Sequence, residues 1–204
     1  MRINMNRSRR EIDPAATRRA ILGSATRVFA ERGYAGASYQ LIADEAGLQK
    51  SHIQYHFGTK EDLWQTVVDY VTREFTIEFE RLLSEGSPSF EQVIRARHKV
   101  LSGHPEYVRL LGWMCLDGAP IPATMQDRTR QFLNFVMGMP MEEDGPDVPR
   151  EHLFAIAFGA LHGYFLFRRL VEVEGAPAMD LSESAYLESL LKVLFSKTEV
   201  KSVA

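Results

Sequence analysis

The stretch "LIADEAGLQKSHIQYHFGTKEDL", residues 41–63, decides the fold. A short apolar helix breaks at Gly47 and runs into "QKSHIQYH", where apolar residues nearly vanish. A helix built only to pack carries Leu, Ile or Val every three or four residues. This one has Ile53 and, at its end, Phe57; Gln49, Lys50, Ser51, His52, Gln54, Tyr55 and His56 fill the rest. Such a helix offers hydrogen-bonding groups to something outside the protein. Its setting meets the demands of a helix-turn-helix. Small Ala43 suits the crossing, Gly47 can take positive φ in the turn, and Ile42, Ala46, Leu48 and Ile53 wedge the helices together.

Working outward, helical punctuation recurs and no alternating strand pattern appears. "AATRRAILGSATRVFAERGY" (15–34) places Ile21, Ala25, Val28 and Phe29 on one face and stops at Gly33. "TKED" at 59–62 is a capping-box variant: Thr59 accepts from the backbone of Asp62, whose carboxylate reaches back. It opens a helix running toward Leu83. "EGSPSF" then predicts a new helix with Ser87 as cap and Pro88 in its first turn. Further breaks fall at "SGHPEY", "DGAPIP", the acidic "GMPMEEDGPDVP" and "EGAPAMD". The expected fold is all-α with about nine helices, three before residue 58 and six after.

Charge divides along the same line. Residues 1–60 hold ten Arg and Lys against five Asp and Glu, and residues 61–204 hold 14 against 22. A basic front end on an acidic body suits contact with a polyanion at one end. The single cysteine, Cys115, forms no internal disulfide and reads as a buried core thiol in a reducing compartment. The longest apolar run, residues 153–167, is short of the roughly 20 needed to cross a bilayer. A soluble, cytoplasmic protein with no membrane partner is expected.

The segments "FAERGY", "IADEAG" and "YHFGTKEDL", in this order, resemble the DNA-binding domain of the tetracycline-repressor (TetR) family of bacterial transcription regulators. The resemblance covers about residues 17–67. It implies an N-terminal three-helix DNA-binding domain followed by a larger helical effector-binding and dimerisation domain. Residues 1–13 are then a flexible basic arm, 14–58 the helix-turn-helix domain and 59–204 the second domain. It also implies a homodimeric repressor released from a palindromic DNA operator by a small hydrophobic or amphipathic effector. Three residues depart from the family pattern. Ala37 stands where a threonine usually caps the second helix, leaving that role to Ser38, and Gln54 replaces a usual tyrosine, with Tyr55 beside it. Gln49 also replaces a common serine.

The candidate DNA-binding residues are therefore Ser38, Gln49, Lys50, Ser51, His52, Gln54, Tyr55, Thr59 and Lys60. His52 and His56 are four apart, also a metal-pair spacing, but no Glu lies between them and no third ligand is apparent, so no metal is expected. Arg2, Arg7, Arg9 and Arg10 form an arm that either follows a minor groove or attracts DNA non-specifically.

In the second domain, Trp113, Met114, Phe132 and Phe135 are candidates to line an effector pocket, or else plain core. Arg97 interrupts an apolar stripe, and two readings stay open: pairing with an anionic ligand, or a buried stem with its head at the surface. Ala155, Gly159 and Gly163 make a smooth strip suited to a dimer interface, joined by Leu187, Leu190, Leu191 and Leu194. An architectural DNA-binding protein without an effector is the alternative. A helical enzyme finds no support in a Ser/His/Asp set, paired carboxylates, a Gly-rich phosphate loop or a metal cluster. No cofactor is expected.

Overall fold

The computed structural model describes residues 13–140, 148–171 (backbone alone for 168–171), 180 and 182–195. The arginines of the N-terminal arm, most of the acidic loop and most of "EGAPAMD" lie outside the described residues. Among the described residues are nine helices and no strand. They are α1 (Pro14–Gly36), α2 (Tyr39–Ala46), α3 (Lys50–Phe57), α4 (Lys60–Ser84), α5 (Phe90–Gly103), α6 (Pro105–Leu116), α7 (Ala123–Gly138), α8 (Arg150–Val171) and α9 (Glu183–Phe195).

The chain divides into two compact units, the first ending at Val67 and the second beginning at Val68. The sequence places the boundary at 58, before α4. The difference has a packing cause. Leu63, Trp64 and Val67 are fully buried, and Trp64 meets Phe29 edge-on at 5.1 Å and Tyr34 at 5.5 Å. The opening turns of α4 thus complete the core of the first unit, beside Ile21, Ile42 and Ile53.

Local signals explain most helix ends. Gly33 has φ 70° and interrupts α1, which resumes for one turn to Gly36. Gly47 has φ 65° and ψ 33°, the left-handed conformation that lets α2 turn into α3. Thr59 and Asp62 form the expected reciprocal cap: the Asp62 amide donates to Thr59 Oγ1 at 3.1 Å, and the Thr59 amide donates to Asp62 Oδ2 at 2.9 Å. One cap is corrected. α5 is opened by Ser89, not Ser87: the Gln92 amide donates to Ser89 Oγ and the Ser89 amide to Gln92 Oε1. Only Ser89 stands three residues before a Gln, the spacing a capping box requires.

In the second unit α8 packs against α5, α6 and α9. Tyr186 of α9 stacks on Tyr164 at 4.3 Å and donates its hydroxyl to the Ala160 carbonyl, while Glu188 pairs with Arg95 of α5. These contacts turn Leu187, Leu190, Leu191 and Leu194 inward, and all four are buried within the single chain. The sequence expectation set these leucines in a dimer interface; within the single chain they pack against α5 and α8. Cys115 is a further correction. It is exposed at the end of α6, beside Leu116, while Met114 takes the buried face.

Candidate functional site

α3 is held from beneath and left open above. Ile53 is fully buried and Phe57 nearly so. Gln49, Lys50, Ser51, Gln54 and Tyr55 are exposed, Tyr55 to 84%. Gln49 sits at the N-cap but makes no capping bond, so its amide stays available. His52 is half-buried, and its Nδ1 is buried without a hydrogen-bond partner.

The remaining predicted contacts are engaged with the protein. Ser38 caps α2 by accepting from the Leu41 amide at 3.2 Å, so the hydroxyl replaces the missing threonine. Thr59 donates its own hydroxyl to Asp62 at 2.6 Å, which holds that carboxyl below its usual pKa. Lys60 lies 4.7 Å from the Tyr34 ring centroid and donates to the Ala35 carbonyl. Partial burial lowers its ammonium pKa below the ordinary lysine value.

Three supports escape a reading of the sequence alone. Arg18 donates to the His56 carbonyl at 2.8 Å and lies 4.2 Å from the Phe57 ring, clamping the C-terminal end of α3. Tyr39 donates its hydroxyl to the Gly58 carbonyl at 2.7 Å. Arg27 and Glu45 pair at 2.8 Å across α1 and α2. Each partner is 18 or more residues away, so no local spacing announces it. Arg18 and Tyr39 hold the C-terminal end of α3, and the Arg27–Glu45 pair ties α2 to α1.

The sequence motif of bacterial regulatory proteins of the tetR family matches residues 21–67. The HTH-type transcriptional repressor Rv3405c of Mycobacterium tuberculosis is 31% identical over 142 residues, 69% of each chain. The chain belongs to the TetR family. RutR, an HTH-type transcriptional regulator of Escherichia coli K12, is 28% identical over 109 residues, so the match spans about half the length of that relative. Among solved structures, AibR in complex with isovaleryl coenzyme A and operator DNA is 18% identical with a TM-score of 0.62. It covers 88% of this chain and 98% of AibR, and shares the fold. These TetR-family relatives are named as transcription regulators.

The second unit contains a cavity of about 500 Å³ lined by α4, α5, α6, α7 and α8. Of the predicted pocket residues, Arg97 and Phe132 line it. Phe135 stands behind, packed on Phe79 at 5.0 Å. Trp113 and Met114 are not among its walls, and helix geometry says why. α6 reaches the cavity with Tyr107; Met114 is two turns, about 10 Å, further along, and Trp113 points to another face.

On α8, Ala155 and Gly159 are exposed and Gly163 is half-exposed, with Ile156 and Phe167 open to 50% and 59%. No helix among the described residues is long and apolar enough to cross a membrane. No group of three metal-ligating side chains occurs among them.

Proposed function

We propose that the chain binds a roughly palindromic DNA operator as a homodimer, acts as a repressor, and is released by a small molecule held in the cavity of the second unit. The observation that carries this reading is the open polar face of α3 on an apolar anchor. Such a face suits a major groove, where Ser51, Gln54 and Gln49 read base edges and Lys50 grips phosphate. Ser38, Thr59, Lys60 and Tyr55 frame it, the first three also serving the fold.

The cavity favours the effector-responsive reading over the architectural one, since a plain bundle needs no space of that size. AibR, which shares the fold, holds an acyl coenzyme A and DNA together. For assembly, the open strip of α8 with Ala155, Ile156, Gly159 and Gly163 is the surface we assign to the twofold partner. A twofold dimer pairs with half-sites about one DNA turn apart, near 34 Å.

Selection from a random duplex pool tests this. An enriched palindrome is expected, and Lys50→Ala should lower the salt slope of binding by about one unit per protomer that uses it. Ser51→Ala or Gln54→Ala should instead relax one base position by about 1–3 kcal/mol. A pool that emerges without sequence preference at moderate salt overturns the regulator reading.

A further inference from the structure

The walls of the cavity are mostly apolar, with Phe75, Phe79, Phe132, Phe154 and Phe158 among them. Its volume lies within the roughly 300–1,000 Å³ of small-molecule pockets. Two guanidinium groups reach this wall, Arg97 and Arg128, and Arg97 is the one set among the rings. The Arg97 carbon Cζ is 3.9 Å from the Phe75 ring centroid and 5.5 Å from that of Phe158. Phe79 meets Phe132 edge-on at 5.3 Å, adding to the apolar part of the wall.

The partners of Arg97 leave its charge unbalanced. Nη2 donates to the Tyr107 hydroxyl at 2.8 Å and lies 3.0 Å from His162 Nε2. The other ring nitrogen of His162, Nδ1, is 2.6 Å from the Phe158 carbonyl. A carbonyl only accepts, so Nδ1 carries the proton and Nε2 presents a lone pair to Arg97. Both partners are therefore neutral. Arg97 Nε is buried with no hydrogen-bond partner, and among the described residues no carboxylate lies within ion-pair distance of Arg97.

The other charged groups on the wall are differently placed. Arg128 pairs with Asp69 at 3.2 Å and donates to Thr72. Glu78 pairs with Arg81 and Lys99, and Glu80 is exposed to water. Arg97 is half-buried, and a cation partly withdrawn from water without a counter-charge is stabilised by a bound anion.

We infer that the cavity takes an amphipathic organic monoanion, its carboxylate anchored on Arg97 beside the Tyr107 hydroxyl and its apolar body lodged among the phenylalanines. One unbalanced cation calls for one negative charge, which disfavours cationic and multiply charged ligands. The inference rests on reading the cavity as the effector site and names the ligand class for it.

The test compares two fluorescent bodies of like shape on the full chain: 1-anilinonaphthalene-8-sulfonate, a monoanion, and N-phenyl-1-naphthylamine, which lacks the sulfonate. One anilinonaphthalene sulfonate should bind per chain, at least about tenfold tighter than the neutral body, since a hydrogen-bonded charge contributes about that much. Decanoate should displace it at lower concentration than 1-decanol or decylamine. Arg97→Met should lose about tenfold for the anion and keep the neutral body within about twofold. Arg97→Lys should fall between, keeping charge without the planar fork.

Equal affinity for the two bodies overturns the anion assignment and leaves the effector site standing. So does an Arg97→Met variant that binds the anion like wild type. If neither body binds, and neither is displaced, the effector-site reading itself falls. Should Arg97→Met fail to unfold cooperatively, the wild-type comparison and Arg97→Lys decide the matter alone.

Discussion

The two units use arginine in opposite ways. In the first, Arg18 turns its guanidinium to a backbone carbonyl at a helix end and covers Phe57, a pairing that completes a surface. In the second, Arg97 also covers aromatic rings, yet its partners are a phenol and a neutral imidazole at the edge of an empty space. One cation finishes a structure; the other leaves a structure unfinished. The contrast separates residues that position a site from residues that wait for a ligand, and it can be broken experimentally.

The largest effect is expected from His162. Burial first, and the Arg97 guanidinium second, push its pKa down to about 4 from an ordinary 6.5. Between those values the unfolded chain binds a proton that the folded chain refuses, so stability falls as pH falls. The loss should reach about 3 kcal/mol between pH 6.5 and 4 and level off below. His98, also held low chiefly by burial, acts in the same direction, so the informative quantity is a difference. Urea unfolding of wild type and His162→Gln, which keeps an acceptor for Arg97, should diverge as acid is added, the variant losing less. Parallel curves would mean that His162 does not report the unbalanced charge.

A smaller effect sets the two arginines against each other. Arg18→Met should cost roughly 1 kcal/mol of stability, because the hydrogen bond and ring contact it removes are exposed. It should also weaken DNA binding, since the end of α3 loses its clamp. Arg97→Met should leave DNA binding of the ligand-free protein as in wild type. Binding measured by fluorescence anisotropy on the selected duplex checks both, and equal losses would erase the distinction.

The smallest effect concerns Thr59. Its hydroxyl is committed to Asp62, so it behaves as a cap before it can behave as a DNA contact. Thr59→Ala should lower stability by about 1 kcal/mol, and Thr59→Ser should restore most of it. Neither should change the preferred operator sequence; a changed preference would move Thr59 from the scaffold to the reading face.

How much the sequence disclosed follows the same division. Gly47, Ala43, Thr59 with Asp62, and the polar run 49–56 were legible because each signal spans only a few residues. Ser38 was legible as a substitute cap for the same reason. The cavity was not. Its walls come from five helices, and deciding which aromatic faces inward requires knowing how those helices turn. Trp113 and Met114 belong to the right helix at the wrong positions, whereas Tyr107, earlier on the same helix, reaches the wall. The α9 leucines show a periodic face without showing whether α8 or a partner covers it. The Arg18 clamp joins residues 38 apart and leaves no local trace.

The open glycines of α8 carry a consequence for mass action. A methyl group at Gly159 or Gly163 would meet no atom within 4 Å, so nothing inside the chain requires glycine there. Each weakens the helix by about 0.8–1.0 kcal/mol relative to alanine. A second copy laid along the same strip would offset that cost, and the protection it gives grows with the concentration of the chain. In the homodimer proposed above, the local order of α8 is thus set by how many copies are present as well as by the sequence that encodes it.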